Sequence, residues 1–348
     1  MVNLVTGASG ILGSYLVAEL VKQGEKVVAC RQVNSSLEPI QKVFALQFVD
    51  WEEQFKKVEW RELDITSLLS IETALQGVET VYHCAGFVSF ATSDRAKLFQ
   101  INEQGTANLV NVCLAMPGIQ FCHVSSVGTL NNSEHRGALN ESVYWKSTGK
   151  EGHYAISKYN AEREVWRGIE EGLKAVIVNP GVILAPAFWH QSSLELIHRA
   201  YKGNRFYTKG QTAYVMAEDV AAVMVKLVKQ NAFGKRFLVL ENNYTYHAIF
   251  EALRKGFTIR GKLIEIPARV LNVISKLERM FSFFIGRDAV LSPSVMRAAF
   301  NQQVYSRETL DKTLKHEFEP VLSGIAKLCQ IYLKEQKSTP AKSSGSGA

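Results

Sequence analysis

The chain has 348 residues, 47% hydrophobic and 21% charged, which supplies apolar material for a large core and excludes a wholly disordered protein. Its net charge of +7 is spread along the chain. That spread excludes a concentrated nucleic-acid footprint and leaves a mild attraction for anions.

Over the first 180 residues short apolar runs alternate with helical patterns, as in a parallel sheet covered on both faces. Strands are predicted at 3–6, 26–30, 59–63, 80–83, 120–125 and 175–179, and helices at 11–22, 67–75, 101–115 and 154–171. After Pro180 the alternation weakens. Helices are expected at 192–202 and 218–230, a strand at 236–240, and mainly helix from Tyr244 onward. The fold class is therefore α/β, a Rossmann-type doubly wound parallel sheet with a smaller, mainly helical C-terminal substrate lobe. The sheet domain takes 1–180 plus 214–243, and the lobe takes 181–213 plus 244–335. The polar tail 336–348 is expected to be disordered. Val270, Ile274, Leu277, Phe281 and Phe284 form one apolar helical stripe, assigned to core or dimer packing ahead of membrane contact.

Thr6-Gly7-Ala8-Ser9-Gly10-Ile11-Leu12-Gly13 places glycines at i, i+3 and i+6 between the first strand and the first helix. Gly7 permits a tight turn, Gly10 lets a pyrophosphate approach the backbone, and Gly13 lets helix and strand pack closely. The N–H groups of Ser9, Ile11, Leu12 and Gly13 at the helix start then meet the phosphates.

Tyr154-Ala155-Ile156-Ser157-Lys158 sets a phenol and an amine four residues apart. Four residues rotate roughly 400° and rise ~6 Å, so both lie on one helix face. An ammonium beside a phenol favours the phenolate and lowers its pKa. Phe121-Cys122-His123-Val124-Ser125-Ser126 is an apolar strand ending in two hydroxyls. Ligands of open parallel sheets bind at such carboxyl ends.

The glycine turn, the Y-x-x-x-K pair and the strand-end serine together resemble the extended short-chain dehydrogenase/reductases (the NAD-dependent epimerase/dehydratase superfamily) over roughly 1–325. Ala217-Glu218-Asp219-Val220, Tyr305-Ser306 with Lys312, and the run from Ile266-Pro267 to Leu291-Ser292-Pro293 are similar to the dihydroflavonol-reductase-like and 3β-hydroxysteroid-dehydrogenase-like branch. The resemblance implies an oxidoreductase that moves a hydride between a nicotinamide cofactor and a ketone/alcohol pair. In it Ser126 hydrogen-bonds the substrate oxygen, Tyr154 exchanges its proton, and Lys158 holds the nicotinamide ribose and biases Tyr154. Asn102, in an N-x-x-G-T pattern, would keep a water relay behind the lysine. Asp64 and Ile65 would meet adenine, Cys84, Ala85 and Gly86 the adenosine side, and Pro180, Gly181 and Val182 the nicotinamide amide.

The second strand ends in Arg31, with Ser35 shortly after and no acid beside it. A cation there suits a 2′-phosphate, whereas NAD sites commonly carry a carboxylate, so NADP(H) is preferred and NAD(H) is the alternative. Phe87, Phe90, Trp145, Phe188 and Trp189 sit on three loops expected to shape the pocket and suit a bulky, largely apolar small-molecule substrate. His135, His153, His190 and His198 are scattered, so no metal site is expected. Five cysteines without C-x-x-C pairs, no signal-like opening and no apolar run of ~20 residues indicate a cytoplasmic protein without an integral membrane segment. No nucleic-acid partner is expected, and a homodimer is allowed. Two rivals stand beside the reductase: a nucleotide-sugar epimerase or dehydratase with retained NAD, and a non-enzymatic cofactor-sensing module. The retained Ser126, Tyr154 and Lys158 argue against the sensor.

Overall fold

The computed structural model describes residues 1–130, 135–189, 191, 194–285 and 291–338, with the backbone alone at 279–285 and 338. His190, the side chains of Phe281 and Phe284, and the tail from 339 lie outside the described residues.

The strands are β1 (Val2–Thr6), β2 (Lys26–Arg31), β3 (Glu59–Glu62), β4 (Thr80–His83), β5 (Gln120–Val124) and β6 (Lys174–Pro180). They continue as β7 (Val182–Leu184), β8 (Phe206–Tyr207), β9 (Gln211–Met216), β10 (Lys235–Val239), β11 (Asn242–Thr245) and β12 (Ile264–Glu265). Seven of them form one parallel sheet in the order β10-β6-β5-β4-β1-β2-β3. The order reverses between β1 and β4, and in such sheets ligands lie in the crevice outside that switch point. Every predicted main-sheet strand is present within a residue at each end, because strands buried on both faces read as continuous apolar runs.

Helix Ala217–Lys229 buries Val220, Val223, Met224 and Leu227 against helix Ile11–Lys22 and the sheet. Each such side chain stabilises by about 1.5–3 kcal/mol. Only this helix and β10 of the 214–243 stretch rejoin the main sheet, since β9 pairs with β7 and β11 in a separate three-stranded sheet. Two helices, Glu38–Gln47 and Trp51–Lys56, fill the connection from β2 to β3. They carry Phe44, Phe48 and Phe55 into an aromatic cluster that also takes Trp60.

Two expectations are corrected. The last helix, Val321–Ser338, carries on through 336–338, so the tail begins later than its composition indicates. The described part of the stripe on helix Ala268–Ile285 is not core: Val270, Ile274 and Leu277 are exposed, and the helix buries Leu271 and Ser275 instead. An amphipathic pattern fixes the apolar face of a helix, not the surface that covers it.

Candidate active site

Gly7 adopts φ +64°, and a Cβ there would stand 2.7 Å from the Ala85 backbone. A Cβ on Gly13 would stand 2.2 Å from the Gly7 carbonyl oxygen, whereas one on Gly10 would meet that oxygen at 3.2 Å. Gly7 and Gly13 are therefore fixed by close approach, and Gly10 keeps open the space in front of the turn. Gly10 N–H donates to the Gly7 carbonyl at 3.0 Å. The helix that begins at Ile11 has no side-chain cap, so its first N–H groups keep their donor capacity for an anion. This cradle fits a dinucleotide pyrophosphate.

One chain of hydrogen bonds ties the turn to the rest of the crevice. Ala85 N–H donates to Thr6 Oγ1 at 3.0 Å, and Thr6 Oγ1 contacts His83 Nδ1 at 2.8 Å. His83 Nε2 contacts Thr106 Oγ1 at 3.0 Å, and that hydroxyl donates to the Asn102 carbonyl at 2.6 Å. Burial pushes His83 down to about 3, so it is a neutral link in this chain. Burial likewise pushes the Cys84 thiol up to about 12 and keeps it protonated.

Arg31 ends β2 beside the turn, since Cys30 carbonyl accepts from Ala8 N–H at 3.0 Å. Its Nη1 donates to the Ser35 carbonyl at 3.0 Å, which leaves further guanidinium donors for an anion. Asp64 is exposed and accepts from Thr66 N–H at 2.9 Å and Thr66 Oγ1 at 2.7 Å through one carboxylate oxygen. Ile65 is buried instead, packed so closely that a Cβ on Gly105 would stand 2.6 Å from it. Gly181 is required by packing, because a Cβ there would stand 2.7 Å from the Ala213 backbone. Pro180 ends β6 and Val182 opens β7, which puts this turn at the carboxyl edge of the sheet.

Tyr154 and Lys158 lie on helix His153–Glu170, and Ser126 follows β5. Strand alternation splits the two serines. Buried Ser125 donates to Glu162 Oε2 at 2.6 Å, while half-buried Ser126 lies within hydrogen-bonding reach of the Tyr154 phenol. Ser126 Oγ also accepts from Gly128 N–H at 3.1 Å. Lys158 is buried, donates to the Val124 carbonyl at 2.6 Å, and stands beside Gly86. Desolvation lowers it to about 8, opposed by the charge of Glu162.

The expected lowering of Tyr154 is not found. Burial pushes the phenol up to about 12, opposed only by its hydrogen bond with Ser126. The Lys158 amine, which donates to the Val124 carbonyl, does not counter that burial. Asn102 sits in a widened, π-type turn, Phe99–Gln104, of the kind common at functional sites. Its side chain accepts from Phe87 N–H at 2.7 Å and donates to the Phe87 carbonyl and to Ser157 Oγ, both at 2.9 Å. That pins the loop after β4 to the helix of Tyr154.

A cleft of about 350 Å³ opens in front of Tyr154, lined by Phe90, Thr92, Lys150, Pro293 and Arg297 among others. The Phe90 ring meets Tyr154 edge-on at 5.8 Å. The other expected aromatics lie elsewhere. Trp145 stacks on Tyr159 at 4.6 Å, and Lys97 covers the Phe87 ring at 4.4 Å. Phe188 and Trp189 are core residues, 2% and 6% exposed, with Trp189 Nε1 donating to Glu335 at 2.9 Å. The chain at Ala187 takes φ +78° and turns both rings inward. Among the described residues no group of three or more His, Cys, Asp or Glu is arranged to hold a metal ion.

Sequence reasoning passed over Glu162. It is buried, one helical turn after Lys158, and gathers partners from three strands or their ends. Its Oε2 accepts from Ser125, from Thr129 Oγ1 at 2.9 Å and from Asn179 Nδ2 at 2.8 Å, while Oε1 accepts from Arg236 Nη1 at 3.0 Å. The signal available was its i+4 spacing from Lys158 on the Tyr154 face.

A profile of the NAD dependent epimerase/dehydratase family matches residues 3–239. The chain is 31% identical to sterol demethylase protein B of Methylococcus capsulatus, over 80% of this chain and 81% of that one. It is 26% identical to dihydroflavonol 4-reductase of Arabidopsis thaliana, over 73% and 69% respectively. Its fold is similar to the crystal structure of UDP-glucuronic acid 4-epimerase from Bacillus cereus with UDP-glucuronic acid and NAD, at TM-score 0.74 and 17% identity, covering 97% of this chain and 100% of that one.

Proposed function

Because the chain belongs to the NAD-dependent epimerase/dehydratase family, we propose that it is an NADP(H)-dependent carbonyl reductase acting on a ketone or aldehyde of a bulky, largely apolar molecule. The observation that carries this reading is Tyr154, its phenol held protonated by burial, within hydrogen-bonding reach of Ser126 and on the wall of the cleft. A carbonyl oxygen that gains a hydride on its carbon needs a proton, and a neutral phenol supplies one. Bound nicotinamide supplies or takes up the hydride. Ser126 would orient the substrate oxygen, and Lys158, which donates to the Val124 carbonyl beside Gly86, would hold a ribose hydroxyl. Asn102 positions the loop at Phe87 and the Tyr154 helix; its part in a proton relay belongs to this reading as well. Phe90 and Pro293 on the cleft, and the similarity to a sterol demethylase protein and a dihydroflavonol reductase, support an apolar substrate.

Arg31 is the residue assigned to the NADP 2′-phosphate. Arg31→Asp should weaken NADPH binding far more than NADH binding, since it replaces a phosphate partner with a repelling charge. Titration of both cofactors checks this, and an unchanged NADPH/NADH ratio would remove Arg31 from cofactor selection.

Lys150 and Arg297 on the cleft wall favour the rival, a nucleotide-sugar epimerase, since cations suit a diphosphate. The two readings differ in cofactor balance. A reductase consumes one cofactor per product, whereas an epimerase shows no net change. The purified protein is expected to carry little bound NAD and to oxidise NADPH stoichiometrically with a bulky apolar ketone or aldehyde. Retained NAD with cofactor-neutral interconversion of nucleotide sugars would establish the rival instead.

A further inference from the structure

Helix Ala268–Ile285 turns an apolar face to solvent. Val270, Val273, Ile274 and Leu277 are 49%, 58%, 44% and 57% exposed, and their i, i+3, i+4, i+7 spacing places them on one stripe. The opposite side is the one held to the protein. Leu271 is buried there, and Ser275 Oγ donates to the Leu291 carbonyl at 3.0 Å.

The exposed apolar surface extends past the helix. Ile264 of β12 pairs with Phe206 of β8, both are exposed, and only Ile266 and Pro267 separate β12 from the helix. Cations accompany the apolar residues. Arg205 adjoins Phe206, Lys262 lies two residues before Ile264, and Arg269 and Lys276 share the helix. All four are exposed, and none has an acidic partner among the described residues. The nearby acids are engaged: Glu265 pairs with Lys209 at 3.3 Å, and Glu278 accepts from Leu291 N–H at 3.1 Å.

We propose that this face docks on the surface of an anionic lipid bilayer. The helix lies in the plane of the interface, its four apolar side chains enter the acyl boundary, and the cations meet lipid phosphates. No helix among the described residues is long and apolar enough to cross a membrane, so the contact is peripheral. A second copy of the chain is the poorer occupant, because it would set two basic rims against each other.

Residues 292–297, which follow the helix in the chain, supply Pro293 and Arg297 to the cleft at Tyr154. Docking therefore holds one wall of the cleft close to lipid, and an apolar carbonyl compound dissolved in the bilayer is the substrate such placement suits. This last step rests on the reductase reading; the docking itself does not.

Co-sedimentation of the full chain with vesicles tests the docking without reference to turnover. The chain should bind phosphatidylcholine vesicles containing about one-third phosphatidylglycerol several-fold better than phosphatidylcholine alone, and raised salt should release it. Ile274→Asp with Leu277→Asp should cut binding by at least about tenfold. Arg269→Glu with Lys276→Glu should remove the preference for anionic vesicles. Both variants should keep the parent melting temperature, and whatever rate the parent shows on a water-soluble carbonyl compound. Three results would overturn the proposal: no binding to anionic vesicles, binding unchanged in both variants, or a parent dimer that becomes monomeric in Leu277→Asp. A parent that binds vesicles but turns over no carbonyl compound would leave the docking standing and remove the reductase reading.

Discussion

Replacing Tyr154 with phenylalanine is expected to lower turnover by at least about 10²-fold while NADPH affinity stays within a few-fold. The substitution deletes one hydroxyl and keeps the ring that packs against Phe90. What is lost is the proton donor beside Ser126, which does not bear on the pyrophosphate turn at Gly7–Gly13. The pH profile adds a second readout. Tyr154 sits at about 12 and stays protonated throughout the neutral range, so it sets no limb there. Lys158, lowered to about 8, is cationic below that pH and neutral above it. Reduction should therefore decline as pH rises through about 8, with the loss lying in the affinity for cofactor. Stopped-flow turnover and fluorescence titration of NADPH measure the two effects separately. Near-normal turnover in Tyr154→Phe would eliminate the mechanism.

The parts of the site that lie close together in the chain were legible in the sequence. Gly7, Gly10 and Gly13 carry their meaning in spacing, and the structure gives Gly7 and Gly13 contacts that no side chain tolerates. Tyr154 and Lys158 share a helical face by arithmetic. The choice of Ser126 over Ser125 came from the family resemblance; alternation along the chain turns one hydroxyl toward Tyr154 and the other toward Glu162. What local pattern cannot carry is the destination of a loop. Phe188 and Trp189 follow β7 toward the expected pocket, yet Trp189 finds its partner at Glu335, 146 residues away. The sign of the Tyr154 shift was also out of reach, because the depth of burial is a tertiary property and here it sets the direction of the shift.

Glu162 shows the same limit, and it gives the second large expected effect. A glutamate on a helix ordinarily reads as part of a solvated face, yet this one is buried with Arg236 at 3.0 Å and four further donors, Ser125, Thr129, Asn179 and Trp166. Removing one partner of a buried ion pair costs about 3–5 kcal/mol, because the other charge stays buried unpaired. Glu162→Gln keeps the shape and one acceptor oxygen, but it removes the charge facing Arg236 and sets an NH₂ against groups that donate. Its melting temperature should fall by on the order of 5–10 °C. The charge of Glu162 also raises the pKa of Lys158 against desolvation. Without it the lysine falls further, so the alkaline limb of the pH profile should move below about 8. A merely structural role would lower stability and leave that limb in place. Glu162→Asp, which keeps the charge on a shorter arm, should hold the limb near the parent position even where it loses stability. Calorimetry and the pH dependence of kcat/KM on the two variants separate these outcomes. An unshifted limb in Glu162→Gln would show that the carboxylate supports the strand ends at Ser125 and Asn179 without tuning the lysine.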